Sequence, residues 1–546
     1  MQVARETGRN GTAQYVQIAT MRCVCPTDRM GSRVPMGTST LSAIQSLIFF
    51  PRGGSAQVIR YLVRALEEHN AQTLIISGSL GKPGDQSHAQ TFFAGLQVEP
   101  VDYSEAFDAH SAGADPLTSE IPLHPSYEDR PGVADRIFTA VDPRIGKYLE
   151  SRWTELLAER VDNPPDIFHV HHLTPMQPAV RTNWPDHPLI GHIHGTELKM
   201  LAAIRDRGAL LDDLELDFDS DPDLIRSRIS GHWEHLDEHR QRIAINTRWE
   251  SWLHARYWQR RLREYAGMCD WLFVLTPDAR DQVVDLLGFD ADRIVPVPNG
   301  VDTERFQPDR LTAQERLSRW RHWLTEEPQG WDETGVPGSV SYTRQEVDQW
   351  FMDASGDRTP VLFFVGRFMS MKRVPLLIRA YNRAQASFRY RAPLVIWGGN
   401  PGEWEYEHPV AVARDEQVEG VFFVGWRGHE ELPEGLNAAD VMVAPSTNEP
   451  FGQVYLEAMA CELPVIATRS GGPPSFLNTD SGVPDAWLVP PDDEAALADV
   501  LIEAVNDPDG RRQRGRNALA SVRSSYSWEQ IAGQVRELYD SVLDSR

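Results

Sequence analysis

The stretch NEPFGQVYLEAMACELPVIATRSGG, Asn448 to Gly472, places two acids around a predicted strand-to-helix turn. Glu449 falls in the loop after the strand, Gly452 opens the helix, and Glu457 sits about one and a half turns inside it. A helix amino terminus presents free N–H groups, so the backbone of Phe451, Gly452 and Gln453 suits hydroxyl or phosphate oxygens. Two carboxylates suit the paired O–H donors of a vicinal diol. Read singly, a helix-capping Glu449 and a solvated Glu457 fit the same spacing. Arg367 ends the predicted strand at Val365-Gly366, and Lys372 follows five residues later. Two fixed cations at a strand terminus can neutralise a diphosphate and stabilise it as a leaving group, although isolated cations are usually surface charges. Gly53-Gly54 forms a turn behind the first predicted strand, a weak signal by itself. In GHIHGTELK, Gly191 to Lys199, His194 ends a strand facing a cleft and can donate to a sugar or phosphate oxygen. His169, His171, His172, His192 and His194 raise the question of a metal. Placement on and after strands is expected to scatter these rings, so no metal is expected. The run Asp217 to Asp223 lacks the glycine and closing glutamate of a calcium loop and reads as solvated.

Such groups need strand ends to carry them. The first predicted strand is Leu47 to Phe50, followed by Arg52-Gly53-Gly54-Ser55, a helix Ala56 to Glu68 and a strand Thr73 to Ile76. That order opens a doubly wound α/β domain. Further strands are predicted at Ile167 to Val170, Leu189 to Ile193, Trp271 to Leu275 and Ile294 to Val297. The polar segment Tyr103 to Asp142 reads as a long surface insertion. The charged helical excursion Leu210 to Tyr265 is expected to pack Trp249, Trp252 and Trp258 inward and keep its arginines in water. Pro298-Asn299-Gly300 marks a domain exit, and Leu311 to Arg358 forms an intervening segment. A second series follows at Val361 to Arg367, Leu394 to Trp397, Val421 to Val424, Val441 to Ala444 and Pro464 to Ala467. These short, continuously apolar runs suit parallel strands covered on both faces. The expected organisation is a disordered tail over 1–40, a first Rossmann-like domain over 41–305, a linker or insertion over 306–358 and a second Rossmann-like domain over 359–525. A last helix over 526–546 is expected to cross back to the first domain.

The 546 residues and 41% hydrophobic content fit two domains. A net charge of -25 disfavours nucleic acid and anionic lipid as general partners, so an anionic substrate needs a local basic site. Cys23, Cys25, Cys269 and Cys461 form no ligand cluster, which suits a reducing compartment. With no secretory pattern at the start, where Met36 is an alternative first residue, the expected location is cytoplasmic.

The Glu449-to-Glu457 spacing resembles the Glu-x7-Glu signature of glycosyltransferase family 4, and Arg367 with Lys372 matches that family's Arg and Lys. The resemblance implies the GT-B fold, two Rossmann-like domains facing across a cleft, with 41–305 as the acceptor domain and 359–525 as the nucleotide-sugar donor domain. It implies that Glu449 contacts the donor sugar, Glu457 the ribose, and Arg367 and Lys372 the diphosphate. By the same resemblance Gly53 and Gly54 approach the phosphates, His194 belongs to the His-Gly-Thr segment, and Gly425 lies where the nucleobase binds. The implied activity is retaining transfer of a sugar from a UDP- or GDP-sugar to an unidentified acceptor, without cofactor or metal. A non-catalytic nucleotide-sugar-binding protein, an epimerase or a sugar phosphorylase fits the same architecture. The long 311–358 segment, Pro473-Pro474-Ser475 and the loop Pro401 to Pro409 depart from the family pattern.

Overall fold

Among the described residues, thirteen parallel strands divide between two sheets. The first contains β1 (Leu41–Leu47), β2 (Ala71–Ser79), β3 (Val98–Asp102), β4 (Ile167–His171), β5 (Leu189–Ile193), β6 (Trp271–Val274) and β7 (Ile294–Pro296). The second contains β8 (Leu362–Gly366), β9 (Leu394–Gly398), β10 (Val421–Gly425), β11 (Val441–Ala444), β12 (Val465–Thr468) and β13 (Ala486–Val489). The orders are β3-β2-β1-β4-β5-β6-β7 and β10-β9-β8-β11-β12-β13. Both reverse direction once, between β1 and β4 and between β8 and β11. Crevices at such switch points, beyond the carboxyl ends of the strands, are where doubly wound sheets bind ligands. The computed structural model describes residues 40–545 except 52, 131, 480 and 481. The expectations for the tail, Met36, Cys23, Cys25 and Arg52 lie outside the described residues.

Three local expectations are corrected. The first strand is Leu41–Leu47, not the LIFF run. Its polar residues hid it from an apolarity reading; buried Gln45 accepts from His171 Nε2 at 2.9 Å, and Ser42 Oγ donates to Asp166 Oδ2 at 2.8 Å. The run beyond Leu47 instead leaves the sheet and receives Tyr103, whose hydroxyl donates to the Ile48 carbonyl at 2.6 Å. Second, Tyr103 to Asp142 is no surface insertion. Tyr103, Leu117, Leu123, Ile137 and Phe138 are buried in the first core, and Trp258 Nε1 donates to the Val141 carbonyl at 2.8 Å. These apolar residues follow neither helical nor strand spacing, so the segment carries no periodic signal. Third, the helix after β1 begins at Gly53 rather than Ala56.

Trp249, Trp252 and Trp258 are buried as expected, with the Arg207 guanidinium 4.0 Å from the Trp252 ring centroid. The helix Trp528–Asp544 packs against the helix Gly53–Glu68. Its Ile531, Val535 and Tyr539 bury against Leu62, Leu66 and Phe273 of the first half. Cys269 and Cys461 are buried free thiols, and burial pushes the Cys269 thiol up to about 12.

Candidate active site

The exits of β8 and β11 meet at the second switch point. Arg367 follows β8 directly; its side chain is half exposed and lies 3.6 Å from the Glu403 carboxylate. A short turn, Ser370–Lys372, comes next, and Arg373 at φ +53 starts the helix Val374–Gln385. Thr447 N donates to the Met371 carbonyl at 2.8 Å, tying the β11 exit to this turn. That tie brings Lys372 and Glu449 together as an ion pair, with side chains only 19% and 12% exposed.

Glu449 is fixed from the other side by the glycine pair that ends the motif. Gly472 N donates to the Glu449 carbonyl at 2.7 Å. A Cβ on Gly472 would lie 2.6 Å from Phe451 Cα, and one on Gly471 would collide with the Glu449 carbonyl. Only glycine permits this approach.

The two halves touch at this point. Gly195 has φ +95, and a Cβ there would stand 2.9 Å from Pro450 Cβ, so the His194-Gly195 turn abuts Glu449-Pro450. Lys199, on the helix Thr196–Asp213, reaches the same place, with Nζ 3.7 Å from Met371 Sδ. Desolvation, aided by nearby Lys372, lowers its pKa, and Glu449 opposes the shift. Gln453 Nε2 also spans the halves, donating to the Gly300 carbonyl at 2.6 Å.

Glu457 is buried inside the helix Gln453–Ala460, with Oε1 3.0 Å from His429 Nε2. Phe451 is buried against Phe476, and Gly452 caps that helix in the left-handed region. Gly53 and Gly54 are exposed at the start of their helix, with nothing within 4 Å of where a Cβ would stand. Gly425 is buried instead: Gln329 of the 311–358 segment bridges to it and would collide with any Cβ. Its lack of a side chain thus serves packing of the intervening segment, a close contact that spacing could not reveal. Glu403, His429 and Lys199 escaped the sequence reading. His429 lies four residues past Gly425 and Lys199 five past His194, so only their loop and helix positions hinted at the site.

The histidines are not scattered, which corrects the expectation. Residues two apart on a strand share a face, and His171 is in register with His192. His169, His171, His192 and His194 therefore stack, with neighbouring centroids 4.4 to 5.3 Å apart. His169 Nδ1 lies 2.7 Å from the Tyr539 hydroxyl, and its Nε2 3.2 Å from His192 Nδ1. His171 Nε2 donates to Gln45, so His171 Nδ1 accepts from His194 Nε2 at 2.8 Å; the one N–H of neutral His194 is thus spent within the column, which corrects the expectation that it donates to a sugar or phosphate oxygen. Burial favours the neutral rings, lowering His169 to about 3 and the other three well below 6.5. Nitrogens of His169, His171 and His192 lie within 4.8 Å of one another. A shared ion would have to break these hydrogen bonds and draw near-parallel rings toward one point.

Known proteins match both halves. The description "Glycosyltransferase Family 4" matches residues 52–305, and "Glycosyl transferases group 1" matches 351–520. A D-inositol 3-phosphate glycosyltransferase of Corynebacterium jeikeium is 33% identical over 278 residues, 49% of this chain and 57% of that protein. An alpha-maltose-1-phosphate synthase of Mycolicibacterium smegmatis is 34% identical over 200 residues, 34% of this chain and 48% of that protein. The match thus spans about half the length of these curated relatives. Sucrose-phosphate synthase from Thermosynechococcus elongatus shares the fold with TM-score 0.55 at 18% identity, covering 92% of this chain and 99% of that one. The catalytic domain of starch synthase IV from Arabidopsis thaliana gives TM-score 0.56 at 14% identity, covering 93% and 100%. With both halves matched and the GT-B fold in place, the chain belongs to the group 1, family 4 glycosyltransferases.

Proposed function

We propose that the protein is a retaining glycosyltransferase that moves a sugar from a nucleoside-diphosphate sugar, UDP- or GDP-linked, to an acceptor hydroxyl. The observation that carries the reading is the Lys372–Glu449 pair at the point where His194-Gly195 of the first half meets Pro450 of the second. A diphosphate entering between Arg367 and Lys372 competes with Glu403 and Glu449 for these cations. The released Glu449 carboxylate can then accept from sugar hydroxyls. Glu457, braced by His429, offers its second oxygen to the ribose.

Reaction breaks the bond from the anomeric carbon to the phosphate oxygen, and the electron pair leaves with the diphosphate. Arg367 and Lys372 stabilise that developing charge. The acceptor oxygen attacks from the face the diphosphate leaves, and its proton passes to a phosphate oxygen. The close approach of the two halves limits water, and with it hydrolysis. No step calls on a metal or cofactor, since the fixed cations balance the leaving group. Among the described residues no helix is long and apolar enough to cross a membrane.

The names of the relatives supply the first acceptor to try, inositol 3-phosphate. Incubation with a panel of nucleotide sugars, with and without that acceptor, should release free nucleoside diphosphate only from the matched donor. Product mass analysis with cell extract extends the search for acceptors. Binding without release would replace the reading with a non-catalytic module, and sugar inversion without acceptor would replace it with an epimerase.

A further inference from the structure

A cavity of about 360 Å³ lies at the far end of the second sheet from the site above. Arg358 precedes β8, Asp440 precedes β11 and Pro464 precedes β12, so the cavity sits at the amino ends of strands whose carboxyl ends form the cleft. The linker residues Pro308 to Leu311 close one wall, held by Asp309 N donating to Asn437 Oδ1 at 2.7 Å.

Charge in this cavity is unbalanced. The Asp440 carboxylate is 11% exposed; it pairs with buried Arg316, accepts from Val361 N at 2.8 Å and has Arg358 at 4.0 Å. Burial raises the Asp440 pKa, but Arg316, Arg511 and Arg358 together outweigh that and hold it below its ordinary value. Arg511 donates only to the Ala504 and Val505 carbonyls, at 2.5 and 3.2 Å. Arg516 donates to Gln513 Oε1 at 2.6 Å. Among the described residues, neither Arg511 nor Arg516 has an ion-paired carboxylate. Three guanidinium groups around one carboxylate leave an excess of two positive charges, before Arg516 is counted. Arg310 adds none, because it pairs with Glu462 at 2.5 Å. A partly desolvated excess of this kind is costly until a counter-charge arrives, and guanidinium groups suit the paired oxygens of a phosphate.

We propose that this cavity is a second ligand site, which binds a small soluble phosphorylated anion through Arg358, Arg511 and Arg516. The linker forms its wall, so occupancy acts on the joint between the two halves. The proposal does not depend on the glycosyltransferase reading.

The probe is inorganic phosphate, titrated calorimetrically at constant ionic strength. Lys372→Ala serves as background, to remove phosphate binding in the cleft. Saturable binding should persist in that background and weaken at least 10-fold on adding Arg358→Gln and Arg516→Gln. Both are cavity-rim changes, and circular dichroism and Tm in chloride should confirm folding. Loss of all binding in Lys372→Ala alone, or binding indifferent to the two rim changes, would overturn the proposal. Vesicles containing phosphatidic acid form the other arm. Flotation that depends on Arg358 and Arg516 would assign the site to a lipid headgroup and overturn the soluble ligand.

Discussion

Replacing Lys372 with Met separates what its charge does for the fold from what it does for the reaction. The Lys372 and Glu449 side chains keep only 19% and 12% exposure, so the variant leaves a largely desolvated carboxylate without its cation. A fully buried broken pair costs ~3–5 kcal/mol. Residual water at both side chains reduces this to about 2 kcal/mol, or ~4–8 °C in Tm for a domain of this size. Loss of one charge-stabilising group should separately lower kcat by ~100-fold or more. Adding Glu449→Gln removes the stranded charge, so the double variant should regain most of the lost Tm while turnover stays lost. Calorimetry and a coupled assay for released nucleoside diphosphate read the two effects. If Lys372→Met keeps kcat within ~3-fold, the leaving-group role is wrong. If the double variant melts as low as the single one, the electrostatic account of the pair is wrong.

Other perturbations test the remaining geometry. His171→Phe preserves the ring stack but removes both the donor to Gln45 and the acceptor for His194. It should lower kcat by ~10-fold and, by stranding buried Gln45 and the His194 N–H, cost about 1–3 kcal/mol of stability, whereas His171→Asn, which keeps an amide acceptor, should recover part of both losses; wild-type kcat and Tm in His171→Phe would show that His171 only fills space. Burial holds the folded His169 at about 3, below its ordinary 6.5, so its contribution to stability is complete above pH 6.5 and is lost progressively as pH falls toward 3. Moving from pH 6.5 to 5 should cost about 2 kcal/mol from this ring alone, and urea unfolding at the two pH values should show a shallower dependence in His169→Phe. Gly195→Val combines a strained φ of +95 with a clash against Pro450. It should push the halves apart and abolish transfer, while leaving donor binding to the second half within ~10-fold by calorimetry; wild-type kcat in this variant would show that the contact is dispensable.

Much of the scaffold was readable because covered parallel strands must be continuously apolar. LIGHI and VMVA match β5 and β11 residue for residue. The reading failed where polarity was satisfied from afar. The sequence places the first strand on the apolar LIFF run because LSAIQSL carries Ser and Gln, with Gln45 met only by distant His171, and Tyr103 to Asp142 reads as a surface insertion because its buried residues follow no period. The acids and cations of the second half could be named because short spacings tie them to one strand end or one helix turn. Their partners could not: Glu403 reaches Arg367 and His429 reaches Glu457 only through loops that spacing does not constrain.

The sequence by itself determined the element types, the two-series α/β architecture and the residues at the strand exits, since each depends on composition within a few neighbouring positions. Tertiary structure alone decided that Lys372 meets Glu449, that Gly425 is covered by Gln329, and that four histidines stack into one hydrogen-bonded column. Those outcomes depend on strand register and on loops folding back across tens of residues. Neither leaves a local signature, because the side chains concerned are chosen by neighbours distant in the chain.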